Sequence, residues 1–139
     1  MSDDAPTSDE VWALLTNVVM DTRDQWKRAV TERTGLPFSR IRILRRLRSG
    51  PLPLNQLAHA AAMDAPATTV VVNNLEEAGL VVREVDPTNR RRKQVSITLA
   101  GRAVLAQAMA TPDPAPLAVT ALSPDDLRAL RDLLRKLGN

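Results

Sequence analysis

The chain has 139 residues, with 19 Lys and Arg against 16 Asp and Glu, one His and no Cys. That length suits one domain or one domain with arms, and the composition excludes disulfides, thiol redox sensing and thiolate metal sites; His59 alone cannot make a zinc cluster. Aromatic residues are only 2% (Trp12, Trp26 and Phe38), so the core must be Leu, Val and Ala in closely packed helices.

Residues 1–6 read as an acidic, disordered tail, unlike a signal peptide, and no apolar run approaches the roughly 18 residues of a membrane span, so a cytoplasmic protein is expected. Thr7 and Glu10 form a capping box for a helix over 7–34, ended by Gly35. Val11, Leu14, Leu15, Val18, Val19, Thr22, Trp26, Ala29 and Val30 recur along it at steps of three and four. This is more apolar surface than one neighbour covers, and Val11, Leu14 and Leu15 are assigned to a subunit interface.

A second helix is expected over Ser39–Ser49, with Ile41, Leu44 and Leu47 inward and Arg40, Arg42, Arg45, Arg46 and Arg48 around it. The arginines suit either a solvated or ion-paired face or phosphate contact. Gly50–Pro53 breaks the chain and leaves room for one short strand pairing with the charged hairpin further along. A helix over Leu54–Ala62 presents Leu54, Leu57, Ala58 and Ala61 on one face. Met63-Asp64-Ala65 turns, with Asp64 or Ala65 as cap and Pro66 in first helical position, into a helix over Pro66–Ala78. Thr68, Val71, Val72, Leu75 and Ala78 can share its buried face; Ala67, Thr69, Val70, Asn73, Asn74 and Glu77 fall outside, and Gly79 ends it.

Leu80–Val85 and Lys93–Ile97 are strand-like, joined by a loop over Asp86–Arg92. From Arg83 to Lys93 five basic residues face two acidic ones, a net charge equal to the +3 of the whole chain. Helix, turn, helix and a charged hairpin make a winged helix-turn-helix, which places one helix in the DNA major groove and a basic finger in the neighbouring minor groove. The candidate contacts are Thr68, Thr69 and Asn73 for the groove and Arg90, Arg91 and Arg92 for the finger, with Asn55, Gln56 and Lys93 on phosphates.

Thr98 caps a further helix running to about Ala110, and the Thr111–Pro116 run, with three prolines, interrupts it. The last helix is capped by Ser123, with Pro124 first, Asp125 and Asp126 in its opening turn and Arg135 and Lys136 in its closing turn. Leu127, Leu130, Leu134 and Leu137, with Leu133, form a leucine stripe suited to pairing across a two-fold axis.

Leu57-Ala58, Leu75-Glu76 through Arg83, Asn89-Arg90-Arg91 and Val95 through Gly101 resemble the MarR family of bacterial transcription regulators, with its Leu-Glu-x-x-Gly-Leu-Val-x-Arg run, its wing and its Leu-Thr-x-x-Gly helix start. The resemblance covers the middle third tightly and the flanks by helix pattern. It implies a mainly α fold with a small β-hairpin wing, a DNA-binding lobe over 39–98, and dimerisation helices over 7–34 and 99–139. It also implies a homodimer on palindromic double-stranded DNA, acting as a repressor released by a small phenolic or aromatic carboxylate, and no cofactor. Arg23, Trp26 and Phe38 are the candidate ligand contacts. Two positions depart from the family pattern. Asn89 stands where the wing acid is expected, leaving Asp86 as a substitute partner for Arg91, and Val70 stands where relatives often carry Arg. The rival reading is a winged helix used only for protein–protein contact. No Gly-rich phosphate loop or paired carboxylates suggest an enzyme.

Overall fold

The structure, a computed structural model, describes residues 4–138, so residues 1–3, half of the tail expected over 1–6, lie outside the described residues. The helices are α1 (Ser8–Thr34), α2 (Phe38–Leu47), α3 (Leu54–Ala60), α4 (Ala65–Glu77), α5 (Leu99–Met109), α6 (Leu117–Thr120) and α7 (Pro124–Gly138). Three strands, β1 (Leu52–Pro53), β2 (Val81–Asp86) and β3 (Asn89–Ile97), form one antiparallel sheet in the order β1-β3-β2. The chain divides into two compact units, one over 23–111 and one from the segments on either side of it.

The larger unit holds the core. Its centre is Val30 of α1, four residues of α2 (Ile41, Ile43, Leu44, Leu47), Leu57 of α3, and Val72 and Leu75 of α4, closed by Val81 and Val95 of the sheet and Leu105 of α5. Ile43, absent from the expected inward set, is fully buried, because α2 is covered on more than one side. The turn between α3 and α4 uses Ala62 at φ +53°, a left-handed conformation that costs a residue with a Cβ about 1 kcal/mol. Asp64 is the cap of α4: its Oδ1 accepts the Ala67 N–H at 2.7 Å. The helix therefore starts at Ala65, one residue before the expected Pro66, and Pro66 sits second, still in the turn whose N–H groups have no helical partner. Ala78, expected on the buried face, is the exposed C-cap.

The hairpin is longer than the sequence pattern indicates. A loop is expected over 86–92, but only Pro87 and Thr88 separate the strands, and Arg90, Arg91 and Arg92 lie within β3. The physical reason is a side chain that makes the turn itself. Asp86 Oδ1 accepts the Thr88 N–H at 2.9 Å and the Thr88 hydroxyl at 2.7 Å, so pairing resumes at Asn89 after a register shift between Val85 and Asp86. The expected short strand is present as β1, with Leu52 opposite Val95.

The far end of the hairpin is locked to α5. Thr98 donates its N–H to the Leu80 carbonyl (3.1 Å) and its hydroxyl to the Gly79 carbonyl (2.7 Å), while its Oγ1 accepts the Gly101 N–H at 3.0 Å. One threonine thus caps a helix and closes the sheet.

In the smaller unit, Thr7 caps α1 through the Glu10 N–H (3.1 Å) and Ser123 caps α7 through the Asp126 N–H (3.1 Å). The proline run separates α5 from α6, as interior prolines require. None of the described residues of this unit is buried in the single chain. Leu14 is 60% exposed and Leu137 72%; Val11, Leu127 and Leu134 are also exposed, and Leu15 and Leu130 are half-buried.

Candidate nucleic-acid interface

The outward face of α4 carries Thr69, Val70, Asn73, Asn74 and Glu77 because Val71, Val72 and Leu75 turn the opposite face into the core. Asn73 is exposed and Thr69 half-exposed. Thr68 is not available: it is fully buried, and its hydroxyl donates to the Asp64 carbonyl at 2.8 Å. It belongs to the core face and cannot be a groove contact, which corrects its assignment from residue type. Asn55 and Gln56 are exposed at the start of α3.

The hairpin supplies the charge. Arg90, Arg91 and Lys93 are exposed. Asp86, expected to orient Arg91, instead holds Arg92, accepting its Nη2 at 3.1 Å and Nε at 3.3 Å. Val85 pairs with Lys93 and Asp86 with Asn89, so Arg90, Arg91 and Arg92 bulge out of the pairing with β2, and Asp86 meets the third of them. Asn89 accepts the backbone N–H of Arg91 at 3.1 Å and leaves its guanidinium exposed. The Thr88 hydroxyl, the Thr88 N–H and the Arg92 guanidinium hold the Asp86 carboxyl below its ordinary 3.8, at about 2. A depressed folded-state pKa stabilises the wing above pH 3.8, and that contribution is lost as pH falls through about 2. Asp86→Asn is therefore expected to lower the melting temperature at neutral pH, with the gap from the parent chain closing between about pH 4 and pH 2 in a thermal-melt series.

Between the start of α3 and the sheet lies a groove of about 320 Å3, lined by Asn55, Arg83, Arg91, Arg92 and Lys93 over Pro53, Leu54 and Val95. Residue type and spacing do not mark Arg83 as a site residue. Its guanidinium meets Glu76 Oε1 at 3.0 Å and Asn73 Oδ1 at 2.7 Å, joining β2 to the outward face of α4. An exposed helix face with amides and an apolar side chain thus stands beside a cationic hairpin, as groove and phosphate recognition require.

A sequence model of the MarR family matches residues 34–92. A probable transcriptional regulator of known structure from Pseudomonas aeruginosa is 32% identical, over 88% of this chain and 96% of that one, with a TM-score of 0.61. The chain belongs to the MarR family. A putative transcriptional regulatory protein for the hcr operon of Thauera aromatica is 38% identical over 85 residues, 60% of this chain; that match spans only about half (51%) of the relative. A MepR mutant from S. aureus, solved bound to an oligodeoxyribonucleotide, shares the fold: it has 19% identity, 96% coverage of each chain and a TM-score of 0.58.

The three residues expected in this MarR-family chain as ligand contacts come together. The Arg23 guanidinium lies 5.0 Å from the centre of the Trp26 ring, and Trp26 meets Phe38 edge-on at 5.5 Å. Trp26 and Phe38 line a cavity of about 240 Å3 with Ile41, Met109 and the arginines Arg42, Arg45 and Arg46; Arg23 does not line it. The three added arginines are visible in the sequence as a basic helix face without acids, but not as part of an aromatic-floored cavity. Among the described residues no group of His, Cys, Asp or Glu could hold a metal ion. No helix among them is long and apolar enough to cross a membrane.

Proposed function

We propose that this chain is a sequence-specific double-stranded DNA-binding transcription regulator of the cytoplasm. It acts as a homodimer on a palindromic site and represses by blocking polymerase. The observation that carries this reading is the joining of α4's outward face to the basic hairpin by Arg83, next to a groove lined by Asn55, Arg91 and Lys93. The DNA-bound MepR structure supports the same use of the fold. Two copies would present α4 to successive major grooves, with half-sites roughly 10 bp apart. The apolar faces of α1 and α7, uncovered in the single chain, are the pairing surface.

Release by a small aromatic carboxylate fits the cavity at Trp26 and Phe38. Its rings would stack the ligand, and Arg42, Arg45 and Arg46 would balance the charge. A ligand favouring a different separation of the two reading helices would weaken DNA binding by that difference in affinity.

Fluorescence anisotropy on DNA from upstream of the coding sequence tests both parts. Arg91→Ala should weaken binding to every duplex and lower the slope of log K against log salt by about one unit. Benzoic and hydroxybenzoic acids should raise the Kd of the parent chain. An Arg91→Ala affinity equal to the parent's at every salt concentration would remove the wing from the interface. A complete lack of duplex binding at low salt would favour a protein-contact module.

A further inference from the structure

We propose that the outward face of α4 reads thymine, and that Arg83 is the positioning residue that decides this. The inference rests on the reading of that face as base-contacting. Arg83 is fastened to α4 by Glu76, which accepts its backbone N–H through Oε2 (3.0 Å) and its Nη1 through Oε1 (3.0 Å). Its second terminal nitrogen then donates to Asn73 Oδ1 at 2.7 Å. A guanidinium has donors only, so the amide oxygen of Asn73 must be the end that meets it.

This contact fixes which end of Asn73 serves the groove. Asparagine recognises adenine by using both ends, accepting from N6 and donating to N7. Here Arg83 occupies one of the oxygen's two lone pairs and fixes the amide's orientation, which weakens the paired adenine contact and leaves the Nδ2 hydrogens as the main group Asn73 offers. A lone donor suits acceptor atoms: O4 of thymine, N7 of adenine, or O6 and N7 of guanine. Val70 then selects between them. It lies one helical turn before Asn73 on the same face and is 57% exposed. Thymine alone places a methyl group beside its acceptor, so an apolar side chain next to a donor matches its edge and no other. Thr69 adds no competing donor, because its hydroxyl proton goes to the Ala65 carbonyl at 3.0 Å.

The test uses the full chain and a pool of random duplexes. Selection should return a thymine at a fixed position in each half-site. Thymines of the selected site are then replaced one at a time by deoxyuridine, which lacks the methyl, or, with guanine placed opposite to keep the base pair, by 5-methyldeoxycytidine, which keeps the methyl but puts a donor where O4 was. At one position the parent chain should bind the first about fourfold more weakly, the worth of one buried methyl group, and the second about tenfold more weakly. Val70→Ala should abolish the first ratio and Asn73→Ala the second. Arg83→Ala should lose the preference for thymine over adenine at that position, since a released amide can turn to use both ends. These are ratios between duplexes, so a general loss of affinity or stability in a variant does not move them. A selected site whose thymines all tolerate both replacements in the parent chain would overturn the proposal while leaving DNA binding intact. Failure to bind any duplex at low salt would sink the functional reading beneath it.

Discussion

Gly101→Ala is expected to destabilise the chain by about 3 kcal/mol and lower its melting temperature by roughly 10 °C. Helix propensity alone predicts the opposite sign, because alanine in a helix interior is favoured over glycine by about 1 kcal/mol. Space decides the outcome. A Cβ on Gly101 would stand 2.1 Å from the Leu80 carbonyl oxygen and 2.8 Å from Ile97 Cγ1. The isoleucine can turn away, but the carbonyl cannot: it accepts the Thr98 N–H, the bond that closes the sheet against α5. The added methyl must push α5 from the hairpin, opening the contact between Leu105 and the rest of the core. Denaturant or thermal unfolding measures it, and a variant as stable as the parent would mean that the close approach of α5 to Leu80 is wrong.

Leu130→Asp together with Leu134→Asp is expected to convert the protein to monomers and to weaken operator binding roughly a hundredfold or more, since the second half-site contact would no longer be intramolecular. Taken by itself, α7 is a helix over Pro124–Gly138 with a leucine stripe and no buried residue. A helix of this length is marginal in water unless its apolar face is covered. The first part of α1 has the same need, with Leu14 and Val19 more than half exposed. A carboxylate at two stripe positions would place charge in the covered face, where it costs far more than the leucines it replaces contribute. Sedimentation velocity reads the association state directly, and a dimer that survives both substitutions would remove α7 from the interface.

Much of the fold is legible in order along the chain. Periodicity and end signals are local properties, and so α1, α2, α4, α5 and α7 can be placed within a few residues of their ends, with Thr98 and Ser123 as caps. The family pattern locates the wing and its arginines by type and spacing. On α4 residue type and helical spacing point different ways at one position. Thr68 and Thr69 have the same chemistry, and residue type offers both as groove contacts; helical spacing puts Thr68 on the buried face, and the packing agrees with the spacing.

Local sequence accounts for the succession of elements, their caps and the concentration of positive charge in one hairpin. These depend on residues within a few positions of each other, through backbone hydrogen bonding and side-chain periodicity. Tertiary structure alone decided the pairings that bridge elements: Asp86 with Arg92 rather than Arg91, and Arg83 with Asn73 ten residues before it. Hydrogen bonds of that kind require particular atoms within about 3 Å and in line. Strand register and helix rotation set those distances, and composition and spacing do not encode them.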